Sequence, residues 1–97
     1  MHYIDSAVYK LELYPTDVNA GRDRYSLTIR GLHDVPVRIV YALNDGPAEA
    51  FTVGLDAEGQ ATLNVSSGTR KGVYKFLGFN ISGHDEWIRA GNTVTVH

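Results

Sequence analysis

Apolar side chains recur at every second position along most of the chain, and a period of two restricts it to extended strands with one buried and one wet face. Tyr9, Leu11 and Leu13 alternate with Lys10, Glu12 and Tyr14 until Pro15 and the polar stretch from Thr16 to Gly21 end the run. Tyr25, Leu27 and Ile29 alternate with Ser26, Thr28 and Arg30, and Gly31 to Asp34 supply a turn. Val35, Val37, Ile39, Tyr41 and Leu43 make the longest row, with Pro36 near its start, where a missing N–H is tolerated. Asn44-Asp45-Gly46-Pro47 is a strong turn signal, because Asn, Asp and Gly accept left-handed backbone angles. Phe51, Val53 and Leu55, then Asp56 to Gly59, then Ala61, Leu63 and Val65 read as a hairpin. Val73 to Ile81 forms the next strand, Ser82 to Glu86 a polar loop, and Asn92 to His97 a terminal strand; Trp87 and Ile88 fit either that strand or the loop. Turns every 8 to 12 or so residues predict an all-β fold, a single antiparallel β-sandwich of about seven strands with no helix.

The 97 residues suffice for one domain, read as residues 1–97 with 1–6 an N-terminal arm. There is no cysteine, so neither a disulfide framework nor a thiolate metal site is available and the core stands unassisted. A net charge of -2 lacks the basic excess that phosphate neutralisation needs, so nucleic acid is not an expected partner. No apolar run approaches the roughly 18 residues of a membrane span, and no membrane insertion is expected. Met1 to Asp5 lacks the basic and apolar regions of a secretory leader. A virion or cytoplasmic setting follows if Met1 is the natural start, and an extracellular or cell-surface one if the chain is part of a longer protein.

The residues that could carry chemistry are dispersed. His2, His33, His84 and His97 show no pair at metal-ligating spacing, and His33-Asp34 and His84-Asp85 read as solvated loop residues. No Gly-x-Ser-x-Gly elbow is present. Asp56 and Glu58, or Asp85 and Glu86, supply too few carboxylates for a calcium shell; Asp56 to Gly59 is more simply a turn. The expectation is therefore no catalytic, cofactor-binding or metal residues and no enzyme. The denser basic group, Arg70, Lys71 and Lys75, is a candidate patch for an acidic partner, and with His84, Asp85 and Trp87 it makes up the candidate contact set.

Tyr9, Tyr25, Tyr41, Phe51, Tyr74, Phe76 and Trp87 are expected to supply core volume, whereas Tyr3, Tyr14, Leu77 and Phe79 are expected on an apolar outer face. Strict alternation from Val73 cannot keep one face of that strand wet throughout, so a neighbouring subunit, the N-terminal segment or a bulge is required to cover it. The strand from Tyr9 to Tyr14, guarded only by Lys10 and Glu12, is expected to pair with another subunit or lie under the arm.

Val37 to Pro47, Phe51 to Gly59, Gly72-Val73-Tyr74, Trp87 and Thr93 to Val96 together resemble the bacterial and bacteriophage immunoglobulin-like modules over roughly residues 24 to 97. Pro15 with Tyr25 to Gly31 resembles the opening of the IPT/TIG variety, and the same features fit fibronectin type III. In such a sandwich a polar turn, here Ser66 to Lys71, leads through Gly72 to a tyrosine, Tyr74, that bridges a late corner. The departure is the missing cysteine pair. The resemblance implies a non-catalytic protein–protein interaction module, first a phage or virion structural protein that decorates a capsid or associates with a tail, otherwise a domain of a bacterial surface or adhesion protein. Its partner is then a capsid, tail or surface-protein neighbour, or another copy. A carbohydrate-binding module, with Tyr14, Trp87 or Phe79 stacking on sugar beside Asp85 and His84, ranks next, and an enzyme last.

Overall fold

The alternating segments form two packed sheets in the computed structural model, which describes residues 2–65 and 70–97. Among the described residues there are ten strands: β1 (Tyr3–Ile4), β2 (Leu11–Tyr14), β3 (Asp17–Val18), β4 (Arg24–Ile29), β5 (Pro36–Leu43), β6 (Ala48–Gly54), β7 (Gln60–Asn64), β8 (Gly72–Ile81), β9 (Trp87–Arg89) and β10 (Thr93–Val96). No helix lies among the described residues. The smaller sheet has the order β2-β4-β7. In the larger one β5 lies between β6 and β8, and the far edge of the long β8 is shared by β10 and β9.

Two expectations about strand number and direction change. The count rises from about seven to ten because β1, β3 and β9 are too short to leave an alternation of their own. The sheets are not purely antiparallel, because β1 runs parallel to β9 and β3 parallel to β10. The chain passes from the smaller sheet to the larger through a cis Tyr14–Pro15 peptide between β2 and β3. The Ser66 to Thr69 part of the polar turn lies outside the described residues, as does Met1 of the arm.

The paired apolar segments read as a hairpin across Asp56 to Gly59 do not pair. β6 pairs with β5 and β7 with β4, so this connection crosses between sheets. The turn itself is built as its residues require. Asp56 Oδ1 accepts from the backbone N–H of Glu58 and of Gln60, both at 2.9 Å, and Gly59 adopts φ +75° beside the Leu32 carbonyl. Local turn chemistry therefore fixes the reversal but not which sheet the emerging strand joins.

β8 resolves the conflict in its alternation with a bulge. Its register to β5 jumps from Val40↔Gly78 to Tyr41↔Phe76, leaving Leu77 unpaired and shifting the side-chain phase by one. Tyr74 and Phe76 before the bulge and Phe79 and Ile81 after it all face the core. Phe79 is thus fully buried at 0% exposure, not on an outer face. With Leu27, Ile29, Val37, Ile39, Phe76 and Val94 it forms the driest part of the interior.

Trp87 opens β9 and lies outside the core cluster. It meets Tyr3 edge-on, centroids 6.5 Å apart at 84°. Tyr3 in turn lies over Gly78, where a Cβ would come within 2.3 Å of its ring carbons. The N-terminal segment therefore pairs along the β9 edge, while only Asp5 and Ser6 come near the start of the Tyr9 to Tyr14 strand, for which cover by that segment or by another subunit is expected. On β2 the Leu11 carbonyl accepts instead from Asn92 Nδ2 at 3.0 Å, a contact from the opposite sheet.

Candidate functional site: an open side between two strand edges

β6 ends one side of the larger sheet and β7 ends the same side of the smaller one, and no described strand pairs with either outer edge. Between them runs a trough lined by inward residues that remain half-buried, no described residue closing over them: Phe51, Val53, Ala61 and Leu63. It has two lobes that share Leu63, one of about 350 Å³ reaching Tyr25 and Tyr41, the other of about 580 Å³ reaching Asp56. Volumes of this size suit side chains or small rings.

The floor of the first lobe is an aromatic cluster centred on Tyr41. Its ring lies 5.5 Å from Phe51, 5.7 Å from Tyr74 and 6.1 Å from Phe76, with Tyr25 edge-on to Phe76 at 6.4 Å. Burial pushes the Tyr25 hydroxyl up to about 12. Burial, and then the neighbouring Glu49 carboxylate, raises Tyr41. Both rings stay neutral at ordinary pH. At the mouth Arg70 is ion-paired with Glu49 of β6.

The corner that frames this lobe is held by specific contacts. The Tyr74 hydroxyl donates to the Arg70 carbonyl at 2.5 Å, and the Val73 N–H donates to Asn44 Oδ1 at 2.9 Å. Gly72 adopts φ +137°, and a Cβ there would meet the Asn44 side chain at 2.5 Å. Tyr74 thus contributes a ring to the core and a hydroxyl to the corner.

The contact residues read from the sequence are dispersed over the molecule. Arg70 lines the trough with Tyr74 and Phe76, whereas Lys75 projects from the opposite face of β8, so the basic group is split; Lys71 is exposed beside Arg70. His84 and Asp85 are exposed in the 82–86 loop, where Asn80 Nδ2 donates to the His84 and Glu86 carbonyls at 2.8 Å each. Trp87, half-buried against Tyr3, and Phe79, buried, offer no flat ring beside them, and Tyr14 stands exposed by itself at 80%. His33 is exposed, with its Nδ1 on the Ala57 carbonyl. Among the described residues no three metal-ligating side chains gather.

Tyr25, Tyr41 and Phe51 are expected in the core and Leu63 on the alternating row of a strand, and read so they carry no sign of the trough. The available signal was the edges themselves: β6 holds one charged residue, Glu49, and β7 none. Exposed edges normally carry charge to prevent pairing, and these two edges are nearly without it. Compared with known proteins, the chain matches no family model, no curated sequence and no solved structure.

Proposed function

We propose that the chain is a non-catalytic, immunoglobulin-like protein–protein interaction module of the bacterial and bacteriophage kind. The strand order β2-β4-β7 packed on β6-β5-β8-β10, with a tyrosine corner from Tyr74 to Arg70 at the start of β8, supports the immunoglobulin-like part. The interaction part rests on one observation, the trough between two strand edges that are unpaired and almost uncharged. Such a surface offers main-chain donors and acceptors together with apolar contact area, which is what a protein partner uses. A setting on a capsid or tail is the one we place first, and a bacterial surface protein second.

Size-exclusion chromatography of the chain mixed at micromolar concentration with purified capsids or tails tests the reading. Co-elution with the particles is expected. A chain that elutes alone with capsids, tails and surface-protein neighbours alike overturns it.

A further inference from the structure

We propose that the open side is occupied by a second copy of this chain, β6 pairing antiparallel with β6 of the other copy about a twofold axis near Phe51. The inference rests on reading that side as an interaction surface, and it names the partner.

The side is dipolar. At one end, where Asn64 and Arg70 meet, stand Arg24, in register with Asn64, and Lys71, with the exposed acid Asp45 in the turn that enters β6, so that this end is basic by a small excess. Arg70 at that end is already paired with Glu49, while Arg24 and Lys71 make no ion pair among the described residues. At the other end the turn carries exposed Asp56 and Glu58, and the Asp34 N–H donates to the Asp56 carbonyl at 3.2 Å, bringing a third acid there. Between the ends the two edges carry Thr52, Gln60, Thr62 and apolar side chains, and no charge except Glu49, which Arg70 pairs. A patch with an uncharged centre and opposite charges at its two ends is complementary to itself when turned through half a revolution, which is the requirement of an isologous contact.

Antiparallel pairing places Ala48 of one β6 opposite Gly54 of the other, so the Lys71 end of each copy meets the Glu58 end of its mate, twice. A parallel arrangement stacks like charges instead. The same pairing satisfies both unguarded β6 edges and brings the half-buried Phe51 side chains together at the axis, removing apolar surface from water.

Sedimentation equilibrium of the purified chain across the micromolar range is the test, with Glu58→Lys, Lys71→Glu and the double variant alongside. Both side chains are exposed and neither makes a structural contact among the described residues, so melting midpoints report that folding is intact. The expected result is a dimer. Each single reversal weakens it roughly tenfold, because an exposed pair is lost at two symmetric places, and the double variant restores the original strength. A monomer throughout that range, or a dimer indifferent to all three variants, overturns the inference. A monomer that still travels with capsids or tails overturns it while leaving the interaction reading standing.

Discussion

The two long sides of the sandwich meet the same problem, a pair of sheet edges facing one another, and treat it differently. On the side of β2, β9 and β10 the sheets are stitched. Asn92 reaches across to the Leu11 carbonyl, β3 leaves one sheet to pair with β10 of the other, and the Thr95 N–H donates to the Thr16 carbonyl at 2.8 Å. Tyr3 packs down on Gly78 beside Trp87. On the side of β6 and β7 no described residue performs any of these tasks, and the inward side chains remain half-buried. Sealing an edge takes identifiable devices, and among the described residues they are confined to one side.

The largest expected effect contrasts two phenylalanines. Phe79→Ala, in the dry interior, should cost about 3–5 kcal/mol in urea unfolding, whereas Phe51→Ala, on the open side, should cost about 1–2 kcal/mol because its ring is already partly in water. Measured below the concentration at which two copies associate, equal losses would mean that the single chain already closes the open side. Next, Tyr74→Phe should lower stability by on the order of 1 kcal/mol by leaving the Arg70 carbonyl without its donor. An unshifted denaturation midpoint would show that the corner does not brace the trough.

The smallest effect appears only in alkali. The Tyr25 hydroxyl is raised from 10.0 to about 12 in the fold, so between those values the folded state holds a proton that the unfolded chain has released. That contribution is complete below pH 10 and is lost as pH climbs toward 12. Melting midpoints of the parent should therefore drop through that window more steeply than those of Tyr25→Phe, and parallel curves would remove Tyr25 from the list of buried groups.

The strands and turns were legible because each rests on neighbours in sequence. Leu11 and Leu13, Leu27 and Ile29, and Val37 and Ile39 are buried as alternation requires, and Asn44 and Asp45 take positive φ of 50° and 59° at the turn between β5 and β6. What was not legible depends on partners distant in the chain. The outward placement of Phe79 failed because alternation allows for a bulge in this strand without locating it, and the bulge falls at Leu77. The hairpin across Asp56 to Gly59 failed because a turn does not encode which sheet receives β7. The open side escaped notice because Phe51 and Leu63 have the same alternating signature whether or not another strand lies over them.

The parallel pairings also govern how the molecule would respond to tension. β1 enters alongside β9, at the Phe79 end of β8, and β10 finishes beside β3, at the Gly72 end, so the first and last strands run in the same direction with their outer ends toward opposite ends of β8. Pulled apart by those two ends, β1 must slide along β9 and β10 along β3, loading the rungs of each ladder together instead of unzipping them singly. The strands that close one side of the sandwich would thereby act as its mechanical clamp.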